Sequence, residues 1–68
     1  MSEADVWMDI PLEVWERAKS MHAARNLPVA IVAQRGGYMA CFESDVEYRA
    51  AIVAIVEHPL QRLEREAA

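Results

Sequence analysis

The sequence predicts an α+β fold made of a short N-terminal strand, a helix, a β-hairpin and a long C-terminal helix kinked or broken at Pro59. Three observations predict it. Apolar residues recur at three- and four-residue spacing from Val14 to His22, two β-compatible runs flank Gly36 and Gly37, and an unbroken apolar run extends from Ala50 to Val56. The first is the stripe of an amphipathic helix, the second is a hairpin signature, and the third reads as the middle of a helix buried on several sides.

At the N-terminal end, Val6, Met8 and Ile10 alternate with Asp5, Trp7 and Asp9, the period of two expected of a strand. Pro11 suits the first turn of a helix, because it has no amide hydrogen to leave unbonded and its φ is already helical. A helix is therefore expected to open there and run to about Arg25. Val14, Ala18 and Met21 form its inward stripe, with Trp15 and His22 alongside. Asn26 tolerates the left-handed conformation of a helix end, and Leu27-Pro28 stops any continuation.

Val29 to Gln34 and Met39 to Phe42 then pair as a hairpin. With Gly36 and Gly37 at the central turn positions, Arg35 faces Tyr38, Ala33 faces Ala40 and Ile31 faces Phe42. The opposite face, with Val32, Met39 and Cys41 at its centre, is also apolar, so both faces need cover. Ser44 and Glu47 stand at the spacing of a capping box, which places the start of the second helix there. Its middle is the apolar run Ala50 to Val56, and Leu60 and Leu63 continue a stripe beyond Pro59.

A chain of 68 residues is read as one domain over residues 1–68, and at that size only about 60% of the unfolded chain's surface can be buried. Hydrophobic residues make up 54% of it, yet Cys41 is the single cysteine, so disulfides and cysteine-rich zinc sites cannot supply the missing stability. Oligomerisation is the remaining device, and a homodimer is expected. The candidate dimer interface is Val32, Met39, Cys41, Ile52, Ile55 and Val56. An unpaired cysteine and the start Met1-Ser2-Glu3-Ala4-Asp5, unlike a secretory signal, point to the cytoplasm. No apolar stretch approaches the roughly 20 residues of a membrane span.

The net charge of −4 argues against a general nucleic-acid binder. A small dimeric nucleic-acid regulator or antitoxin is the alternative reading, and it requires Arg17, Lys19, Arg25 and Arg35 to share one surface. His22, Cys41 and His58 fall on three separate elements without a short ligand spacing, so neither a metal site nor a catalytic cysteine is expected, and no cofactor is called for. The reading is of a protein that is not an enzyme. Candidate partner-binding residues are Arg35 and Tyr38 at the hairpin tip, and Asp5, Asp9 and Trp7 in the acidic N-terminal segment. Asp5 and Asp9 belong to an acidic edge suited to a basic partner, while Trp7 is an outward anchor in one strand register and a core residue in the other.

In size and composition the chain resembles the small acidic accessory proteins of bacteriophages and mobile elements, among them anti-CRISPR proteins. That resemblance implies a non-enzymatic protein that binds a host protein and inhibits or regulates it. It assigns no residue a role.

Overall fold

The structure, a computed structural model, describes residues 10–67. The expected N-terminal strand lies outside the described residues, except for Ile10, which sits in a bend and is buried. Five regular elements follow: α1 (Leu12–Arg25), β1 (Val29–Gln34), β2 (Gly37–Phe42), β3 (Ile52–Val56) and α2 (Pro59–Ala67). The α+β class holds, and the first helix and the hairpin are where the residue pattern places them.

Helix α1 is capped at its N-terminus by Pro11, whose carbonyl accepts the amide of Val14 at 3.0 Å. It ends on Asn26 at φ 53°, where the Asn26 amide returns to the carbonyl of His22. Ala18 is buried at the centre of the inward stripe, and Val14, Trp15 and Met21 pack beside it. The small side chain of Ala18 lets the helix backbone approach the sheet, where Val29 and Ile31 are fully buried.

The hairpin closes through Arg35-Gly36, not Gly36-Gly37. Gln34 pairs with Gly37, Ala33 with Tyr38, Ile31 with Ala40 and Val29 with Phe42. Both glycines take positive φ, 87° at Gly36 and 157° at Gly37, where a residue with a Cβ would be strained, and Gly37 opens the ladder opposite Gln34. The register thus sits two residues from the expected one. Because side chains alternate with period two, an even shift leaves each residue on its expected face.

The long C-terminal helix is overturned. Residues 43–45 and 49–51 form two short 3-10 turns, and Ile52–Val56 is a third strand paired antiparallel to β1. The sheet order is β2-β1-β3. Four of the five residues in β3 are β-branched, which stiffens the side chain against helix and favours a pleated surface. The decisive term is tertiary: β1 has a second edge whose amides and carbonyls need partners, and β3 supplies them. Ile31 pairs with Ala54, and the register then shifts so that Val32 faces Ile52, leaving Val53 as the extra residue of a bulge.

Ser44 makes no capping bond at the first 3-10 turn. The reciprocal cap occurs later, at His58 and Gln61: the Leu60 amide donates to His58 Nδ1 at 3.1 Å, and the His58 amide donates to Gln61 Oε1 at 2.9 Å. Pro59 consequently opens α2 as its first residue instead of ending a helix. Gln61 Nε2 also donates to the carbonyl of Asn26, tying α2 to the end of α1.

Strands β2 and β3 flank β1 and both oppose its direction, so residues 43–51 must travel back along the sheet to connect them. One face of the sheet carries Val29, Ile31, Ala40, Phe42 and Ala54 against α1. The other carries Ala30, Val32, Met39, Cys41 and Ile55, and the connection lies over part of it.

Candidate functional site

The connection leaves a shallow recess of about 210 Å³ on the face away from α1. Val32, Met39 and Cys41 form its floor, each projecting from the same side of the hairpin ladder. Val46, Tyr48 and Ala51 wall it from the connection, together with Asp45 and Glu47. Tyr48 is 71% exposed and Met39 is 42% exposed, although both sit on an apolar surface. Arg49, beside this wall, is held at 2.6 Å by Glu43. Asp45 and Glu47 have no ion-pair partner among the described residues. Burial pushes the Cys41 thiol above its ordinary pKa, and the negative charge of Asp45 adds to that.

A second feature lies along the outer edge of the sheet, at β3. A groove of about 540 Å³ runs between β3, with Ile52, Val53, Ala54 and Ile55, and α2, with Pro59, Arg62, Arg65 and Glu66. At about 100° per helical residue, Arg62, Arg65 and Glu66 share one side of α2, while Leu60, Leu63 and Ala67 share the other. The polar side therefore borders the groove, and the leucines, 62% and 61% exposed, stand in water. The charges along the groove are matched by Arg65 with Glu57 and by Arg62 with Glu66.

The sequence-derived sites are redistributed by this fold. Asp5, Trp7 and Asp9 lie outside the described residues. Arg35 is exposed at the hairpin tip, but Tyr38 is half-buried and packs against the helix-side core, so the two do not form one outward pair. The six dimer candidates fall in three places. Val32, Met39 and Cys41 line the recess, Ile52 and Ile55 line the groove, and Val56 packs with the core beneath α1. Tyr48 carried no signal in the sequence, being read as a helical residue. Leu60 and Leu63 were legible as a stripe, though not as one facing water.

The four cations of the nucleic-acid reading do not gather. Arg17 and Lys19 are two residues apart on α1 and so point about 200° from one another around it. Arg25 lies over the Phe42 ring at 5.4 Å, and Arg35 is at the hairpin tip. His22 Nδ1 lies 2.9 Å from the carbonyl of Leu27 and His58 caps α2, each occupied locally. Among the described residues no group of three or more His, Cys, Asp or Glu is placed to hold a metal ion. Nor is any described helix long and apolar enough to cross a membrane.

Comparison with protein-family models, with curated proteins and with solved structures found no match to this chain.

Proposed function

We propose that this chain is a non-enzymatic binding domain that inhibits or regulates a partner protein by docking on it, and that it does so as a homodimer. One observation carries the reading: besides the single exposed leucines at the two ends of α1, Leu12 and Leu27, large apolar side chains stand in water in pairs at two places, Met39 and Tyr48 at the recess and Leu60 and Leu63 on α2. Contiguous apolar surface of this kind marks interaction sites when it is rimmed by polar groups. The recess is assigned to the heterologous partner. The leucine side of α2 is assigned to the second copy, because its polar side is already turned inward and neutralised by its own ion pairs. The resemblance in size and charge to phage-encoded inhibitors supports the same reading.

Two measurements test it. Light scattering coupled to size exclusion is expected to give twice the 7.7 kDa of one chain at micromolar concentration, and Leu60→Glu with Leu63→Glu is expected to give the monomer. Partner capture is expected to fall on Tyr48→Ala and to survive the α2 substitutions. A folded wild-type monomer removes the dimer, and a capture indifferent to Tyr48 removes the recess.

A further inference from the structure

The recess has a polarity that narrows what docks there. We infer that it receives a protein segment presenting an arginine or lysine next to an apolar side chain. This rests on the recess being the partner site, and it goes further by stating the partner's chemistry. The floor of Val32, Met39 and Cys41 and the exposed ring of Tyr48 offer apolar contact. Two exposed carboxylates, Asp45 and Glu47, stand in its wall, and among the described residues no cation lines it. Arg49, the nearest base in sequence, is engaged by Glu43 at 2.6 Å. The negative charge is therefore uncompensated, which the upward push of Asp45 on the Cys41 thiol also registers. A long basic side chain matches both halves of this surface, because its methylene stem lies on apolar groups while its charged head reaches a carboxylate. Tyr48 adds an aromatic face suited to a guanidinium. The groove beside α2 lacks this character, since its bases and acids are paired with each other.

The test uses the full chain and a blocked peptide of alternating leucine and arginine, compared with the same peptide carrying neutral citrulline for arginine. Amide chemical shifts are followed on titration. The arginine peptide is expected to saturate with shifts centred on Cys41 and residues 45–48. It should bind about tenfold more tightly than the citrulline peptide, as two rim charge pairs allow. That preference should disappear in the Asp45→Asn, Glu47→Gln double variant and persist in Glu64→Gln, a control on α2. Both substituted carboxylates are exposed, so unchanged β1 and β3 shifts will report an intact fold. Equal binding of the two peptides at the recess overturns the basic segment while leaving a protein-docking recess in place. Shifts centred on α2, or no saturable binding of either peptide, overturn the inference outright, and the Tyr48→Ala capture then decides separately whether the recess binds a partner at all.

Discussion

Asn26 and Cys41 show how single positions carry distinct physical loads. Asn26 holds φ 53° at the end of α1, a conformation costing a residue with a Cβ roughly 1–2 kcal/mol unless its side chain offsets it locally. Asn26→Ala is expected to lower stability by about 1 kcal/mol and Asn26→Gly by much less, as read from urea denaturation midpoints. For Cys41, the raised pKa means that the thiol keeps its proton longer in the folded chain than in the unfolded one. Its contribution to stability is thus complete below the unfolded value, about 8.5, and is lost as pH rises through the higher folded value. Cys41→Ala should accordingly lose less stability than the native chain between pH 8 and pH 10. An alkylating reagent should modify Cys41 more slowly in the folded protein than in urea, since the thiolate is the reactive form. Equal rates in the two states would show the thiol to be unshielded.

At the scale of elements, the C-terminal half turns on which of two caps forms. The sequence spacing Ser44–Glu47 and the spacing His58–Gln61 both suit a reciprocal cap, and the structure uses the second. Ser44→Ala is expected to change stability by less than about 0.5 kcal/mol, as for an exposed surface position. Gln61→Ala removes the bond from the His58 amide and the bond to the Asn26 carbonyl, and is expected to cost about 1 kcal/mol. Urea midpoints for the pair discriminate the strand from the helix: a large loss at Ser44 with none at Gln61 would place the helix start back at residue 44. A short apolar run has no periodicity to separate a buried strand from a buried helix, and at Ala50 to Val56 a cap-like spacing upstream tipped the reading toward helix.

For the molecule as a whole, one helix covers one face of a three-stranded sheet, and a connection only partly covers the other. A layer of core this thin leaves little net stability to a chain of 68 residues. If the second copy seats on the leucine side of α2, dimerisation adds to folding by mass action, so the unfolding midpoint rises with protein concentration. Thermal unfolding at concentrations two decades apart is expected to show that rise in the native chain and to lose it in Leu60→Glu with Leu63→Glu. A midpoint independent of concentration in both would leave those leucines without a second copy.

Local chemistry determined much of this protein by itself. The spacing of Val14, Ala18 and Met21, the stop at Asn26-Leu27-Pro28 and the two β runs around Gly36 specify α1 and the hairpin, because each depends on residues close in the chain. Even the hairpin faces were legible, since a register slip of two residues leaves them unchanged. Only tertiary structure decided β3, whose pairing with β1 joins residues far apart in the chain, 23 positions in the case of Ile31 with Ala54. That pairing in turn freed Pro59 to start a helix, turned Leu60 and Leu63 to water, and drew residues 43–51 across the sheet to bring Asp45, Glu47 and Tyr48 beside Val32, Met39 and Cys41. The recess is made of residues brought together by the unsatisfied edge of β1, a demand for hydrogen-bond partners that no local window of sequence contains.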